Sequence, residues 1–122
     1  MEDLDFEIEF YEDLLRVDPG FSDAWAPLAE AYTRKGYYGK GLELDRKLAD
    51  LLPWDPTVFY NLACSFALLG QTGPALNALE RALQLGYRDF DWMEEDDDLK
   101  NIRDSNQYKS LVKKYRNYTL EE

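Results

Sequence analysis

Acid–base, redox and metal chemistry need particular side chains, and here the set is narrow. The 122 residues include no histidine and a single cysteine, Cys64. The commonest general base and metal ligand is therefore absent. No G-x-S-x-G elbow and no glycine-rich phosphate or dinucleotide motif is present. Carboxylates are abundant and can move protons by themselves, but only in a pocket that shifts their pKa. The densest group, Glu94-Glu95-Asp96-Asp97-Asp98, lacks the alternating oxygen ligands, central glycine and closing glutamate of a calcium loop, so a solvated charged loop is expected. Cys64, without a nearby histidine, is expected to be an inert wall residue. The expectation is a protein without catalytic residues, cofactor or metal.

Charge narrows the partners. Of the net −11, residues 1–18 contribute eight acids and one base, −7, and residues 86–104 eight acids and three bases, −5. The stretch between them comes to −1, and residues 105–122 to +2. Acidic flanks repel phosphate backbones, which argues against nucleic acid, and could attract a basic segment of another protein. No apolar run approaches the ~18 residues of a membrane span, and the acidic start does not fit a signal peptide. A soluble, cytoplasmic protein without membrane contact is expected. A lone cysteine agrees with a reducing compartment, which makes the Asn117-Tyr118-Thr119 sequon a chance match.

The elements that would position side chains are helical. Phe59, Leu62, Ala63 and Phe66 recur at offsets of three, four and seven, which places them on one helix face. Gly70 and Gly73-Pro74 interrupt the pattern, and Ala75, Leu76, Leu79, Ala82 and Leu83 resume it on a second helix. Shifted back 34 residues, the same hairpin reads Trp25, Leu28, Ala29, Tyr32 and Gly36, then Gly41, Leu42, Asp45 and Leu48. The chain is thus a tandem repeat. Before it, Glu2 to Val17 reads as a helix with the apolar stripe Leu4, Ile8, Tyr11, Leu14 and Leu15. Ser22 or Asp23 should cap the next helix, which is expected to start near Asp23 with Pro27 in its first turn and to end at Gly36. Tyr37-Tyr38-Gly39 is expected as a turn before a helix from Gly41 to Leu52. Asp55 should cap the following helix, with Pro56 at its first position. From Tyr87 the repeat fades into short helical turns, and Asp104 or Ser105 should cap a last helix to about Tyr118.

The spacing Trp25-x2-Leu28-Ala29-x2-Tyr32, repeated as Phe59-x2-Leu62-Ala63-x2-Phe66, with Pro19 and Pro53 34 residues apart, resembles the tetratricopeptide repeat (TPR). The second halves depart from that signature, with Gly41-x3-Asp45 and Ala75-x3-Leu79, and Tyr87 stands where a closing proline belongs. The resemblance implies an all-α, TPR-like helical-hairpin solenoid of about two full repeats, a preceding half-repeat and a C-terminal capping helix. As one domain it would divide into residues 1–20, 21–55, 56–88 and 89–122, the last a degenerate capping segment of the small bacterial type.

In TPR proteins the first helices of successive hairpins line a concave surface that takes peptides or helices of partners. The resemblance assigns Asp23, Ala26, Pro27, Glu30, Thr33 and Arg34 to that surface, followed by Thr57, Tyr60, Asn61, Cys64, Ala67 and Leu68. Asn61 either hydrogen-bonds a ligand backbone, as an amide can by donating and accepting at once, or makes a local hydrogen bond. The lysines or arginines with which family members clamp a terminal carboxylate are replaced by Ala26 and Glu30. Glu30 and Asp23 suit a basic side chain, and Tyr60, Ala67 and Leu68 an apolar anchor. The function expected is non-catalytic binding of a peptide or helix of a partner protein.

An alternative belongs to the structural class. Phe6, Phe10 and Val17 widen the apolar surface of the first helix beyond what one neighbouring hairpin covers. They either pack over the end of the first repeat or form a self-association face that would make the chain a self-assembling scaffold module.

Overall fold

The structure, a computed structural model, describes residues 3–121. It is all-helical: α1 (Asp3–Val17), α2 (Trp25–Lys35), α3 (Tyr38–Leu51), α4 (Pro56–Leu68), α5 (Thr72–Gln84), α6 (Phe90–Glu95), α7 (Lys100–Arg103) and α8 (Asn106–Glu121), with 3-10 turns at Ser22–Ala24 and Asp97–Leu99. Glu2, the expected start of the first helix, lies outside the described residues. Among the described residues no helix is long and apolar enough to cross a membrane. The chain divides into two compact units, Met1–Pro53 and Trp54–Glu122.

In the first unit α1 lies on α2, and α2 pairs with α3. Ile8, Leu28, Ala29, Ala31, Tyr32 and Leu44 form the core, with Leu4, Tyr11, Leu15 and Trp25 packed partly buried against it. Polar contacts fasten α1 at several levels. The Tyr32 hydroxyl donates to Glu12 at 2.6 Å, Lys35 pairs with Asp5 at 2.7 Å and Arg34 with Glu7 at 3.7 Å. Burial and the Glu12 carboxylate hold the Tyr32 phenol well above its ordinary pKa.

Two helix starts differ from the sequence reading. Neither Ser22 nor Asp23 caps α2; a 3-10 turn covers Ser22–Ala24 and the α-helix begins at Trp25. Pro27 is the reason, because in an α-helix begun at Asp23 it would lack the N–H that the Asp23 carbonyl needs. At Trp25 the proline occupies the first turn, where no N–H is required. Likewise α3 begins at Tyr38 rather than Gly41, because Gly36 at φ 93° completes the reversal alone. Gly41 sits at a close approach: a Cβ there would lie 2.7 Å from Thr33 Oγ1 and 3.4 Å from the Ala29 carbonyl oxygen.

In the second unit Asp55 caps α4 as expected, accepting from the Thr57 and Val58 N–H groups at 2.9 and 3.4 Å ahead of Pro56. The Gly73-Pro74 pair does not break the chain; α5 starts at Thr72 and carries both in its first turn. The reversal belongs to Gly70, at φ 74°. The α4–α5 pair buries Leu62, Ala63, Phe66, Leu79, Ala82 and Leu83. Met93, Leu99, Ile102 and Tyr108 are buried to about the same depth, so residues 90–112 complete this core rather than trail from it. Ser105 caps α8, its Oγ accepting from the Tyr108 N–H at 3.2 Å.

Candidate functional site

On α4, Tyr60 and Cys64 lie one helical turn apart and are almost fully buried, 4% and 6% exposed. Two buried polar groups need partners. Both find the same one: the Tyr60 hydroxyl donates to Asp96 Oδ2 at 2.5 Å, and the Cys64 thiol donates to that oxygen at 3.7 Å. Asp96 Oδ1 accepts the Asp98 N–H at 3.0 Å, which makes Asp96 the cap of the 3-10 turn that follows. The Tyr87 ring lies flat on Tyr60, centroids 4.3 Å apart and planes 3° from parallel. Farther along α4, Asn101 Nδ2 donates to the Ala67 carbonyl at 3.0 Å. Arg103 closes the segment from behind, donating to the carbonyls of Met93 at 2.6 Å and Asp96 at 2.9 Å.

This geometry corrects two expectations. The acidic run is not a solvated loop: Glu94, Glu95 and Asp97 are exposed, but Asp96 is 7% exposed and Asp98 half-buried. Tyr60, Cys64 and Ala67 do not line an open surface, because Tyr87, Asp96 and Asn101 cover that face of α4. Charge and burial act together there. Burial, with the Asp96 and Asp98 carboxylates, pushes the Cys64 thiol far above its ordinary pKa, and burial does the same to the Tyr60 phenol. Tyr87 is raised to about 12 by burial and Asp89. Asp98 is raised by burial and by Asp96 and Asp97. Protonated, the thiol serves as a hydrogen-bond donor to Asp96.

Cys64, Asp96 and Asp98 bring one donor atom each within 4.8 Å of one another, a spacing a divalent ion could use. Metal binding would require a thiolate and a free carboxylate. An ion there would have to displace the thiol proton and the hydrogen bonds that Tyr60 and Cys64 donate to Asp96. The arrangement works as a hydrogen-bonded clasp that holds residues 87–103 on α4.

The other sequence-derived positions scatter between exposed and structural roles. In the first unit Asp23, Ala26 and Glu30 are exposed, with Pro27 half-buried. Arg34 is exposed and lies 4.0 Å from Glu30 as well as near Glu7. Thr33 serves the helix pair instead of a ligand: its hydroxyl donates to the Ala29 carbonyl at 3.0 Å and abuts Gly41. In the second unit Thr57 and Asn61 are exposed and Leu68 is half-buried. The Asn61 amide takes part in no hydrogen bond among the described residues, so its local-contact reading is set aside. Phe6 and Phe10 do not pack over a repeat end; they are 67% and 49% exposed and stack on each other at 6.4 Å.

Asp96 is the residue that sequence reasoning missed. The available signal was indirect: Tyr60 and Cys64 on a face shared with Ala67 asked for a polar partner, and an aspartate two residues before Asp98 and three before buried Leu99 has the spacing of a turn cap.

No protein-family model matches the chain. It is similar to a chloroplastic protein of Arabidopsis thaliana, with 33% identity over an alignment 90 residues long that covers 69% of this chain and 26% of that protein. The chain therefore spans about a quarter of that relative's length.

Proposed function

We propose that the chain is a non-catalytic interaction module of the TPR type that binds a peptide or helix of a partner protein. The TPR reading rests on the repeated residue pattern together with two helix pairs whose reversals fall on Gly36 and Gly70, both at positive φ and 34 residues apart. The peptide contacts are assigned to the exposed side chains of α2 and its entry, Asp23, Ala26 and Glu30, and separately to Thr57 and Asn61 on α4. The observation that carries the reading is Asn61: an exposed amide without an internal partner, on a helix whose remaining polar side of Tyr60 and Cys64 is satisfied from within. It can donate to and accept from a ligand backbone at once. Asp23 and Glu30 fit basic side chains on that ligand. With few anchors, affinity in the micromolar range follows.

The compartment belongs to the same proposal. A reducing aqueous compartment is assigned, either the cytoplasm or, from the name of the similar protein, the chloroplast. A fluorescent fusion in the source organism distinguishes them.

The binding test compares partners captured from source lysate by the native chain with those captured by Asn61→Ala and by Glu30→Lys, each of verified helicity. Loss of the same partner from both variants supports the reading. Retention of every partner by both sinks it, because these exposed substitutions leave the rest of the molecule intact.

A further inference from the structure

We propose that the chain assembles head to tail, the outer stripe of α1 in one copy seating in a basic trough along α8 of the next. The helix α1 has two apolar faces. Its inner face, with Ile8, Leu4, Tyr11 and Leu15, is occupied by α2. On the opposite face Phe6, Phe10 and Val17 fall within an arc of about 40°, and they are 67%, 49% and 88% exposed. Such a ridge in water is the kind of apolar feature that marks a docking site. Asp3 and Asp13 flank that arc on either side and Glu9 stands just beyond it, all exposed and with Asp13 ion-paired to Arg16, so the ridge is apolar at its crest and net acidic on its flanks.

The second unit carries a hollow of opposite character. A trough of about 490 Å³ runs along α8, lined by Tyr108 and Val112, and its four basic side chains, Lys109, Lys113 and Arg116 among them, outnumber the two acids Glu94 and Asp104. Residues 105–122 carry net +2, against −7 for residues 1–18. An acidic, aromatic ridge and a trough whose lining is net basic are complementary in sign.

Charge selects this occupant over the symmetric alternative. Pairing two α1 ridges would set Asp3, Glu9 and Asp13 against their own copies, a like-charge arrangement that interfaces avoid. Ridge to trough is heterologous: a pair made this way still has one free trough on one copy and one free ridge on the other, so growth continues past the dimer. The contacts are rimmed by exposed charges and must weaken with salt.

Sedimentation velocity on the full chain tests this over a roughly hundredfold concentration range, at low and high salt. The expected result is an average mass that climbs past twice the chain mass with concentration and falls back in high salt. Phe6→Glu and the double variant Lys109→Glu/Lys113→Glu should each be monomeric. Their equimolar mixture should double in mass, since the first retains an intact trough and the second an intact ridge. That complementation also shows that neither variant is misfolded. Asn61→Ala should assemble like the native chain, which separates this proposal from the peptide-binding reading. A monomer at every concentration, a dimer that is insensitive to salt and never grows, or a mixture that stays monomeric would each overturn it.

Discussion

Asp96 accepts three hydrogen bonds while nearly excluded from water, so its side chain ties together atoms from two distant parts of the second unit. Asp96→Ala should lower the free energy of unfolding in urea by about 2–4 kcal/mol, from an orphaned buried hydroxyl and a lost cap. Adding Tyr60→Phe to Asp96→Ala should recover part of that loss, because no hydroxyl is then left without a partner. Equal stabilities of the single and double variants would show that the hydroxyl is satisfied elsewhere. Asp98 acts in the opposite sense. Its pKa is raised in the folded state, so the folded chain holds the proton longer than the unfolded chain does. Stability from this group is greatest below the ordinary value of 3.8 and falls as pH rises through the shifted pKa. Asp98→Asn should therefore remove that fall from a plot of stability against pH, leaving the rise of stability out of acid steeper than in the native chain. At neutral pH it should gain no more than about 1 kcal/mol, because the side chain is half exposed and screened.

At the scale of elements, the sequence was most informative where the cause is local. The ends of α2 and α4 at Gly36 and Gly70 and the Asp55 cap before Pro56 follow from conformational preferences of single residues, and the structure has them where the pattern put them. The starts of α2 and α3 were misplaced by two to three residues, because a 3-10 turn before Pro27 and a helical Tyr38-Gly39 depend on how the flanking turns close. The clasp was illegible for a different reason. Asp96 and Tyr60 are 36 residues apart, and the turn-cap spacing that singles out Asp96 does not say what its second oxygen meets. Gly41 was legible in kind, as a small residue at a close helix contact, and the structure supplies its neighbour Thr33. Gly41→Ala should gain up to ~1 kcal/mol of helix propensity yet lose more to the clash, for a net cost of about 1 kcal/mol. Combining it with Thr33→Ala should restore near-native thermal stability. A stabilised single variant would mean that the hydroxyl rotates away freely.

For the whole molecule, the division at Pro53 carries a prediction about cooperativity. Chains built of repeated units gain most of their stability from near neighbours, and such units open separately. Leu28, 2% exposed in the first core, should cost about 2–5 kcal/mol when replaced by alanine. Hydrogen exchange followed by mass spectrometry should then quicken across residues 3–51 and leave the helices of residues 56–121 at native rates. Uniform acceleration of both would show one cooperative block. Inside the second unit the order of assembly has a built-in optical reporter. Two phenol rings held parallel at 4.3 Å couple their electronic transitions, and Tyr60 and Tyr87 meet only when the chain beyond Gly86 has settled on α4. The near-ultraviolet circular dichroism of that pair, taken as the difference from Tyr87→Leu, would time the closure of the tail in a stopped-flow experiment without any added label.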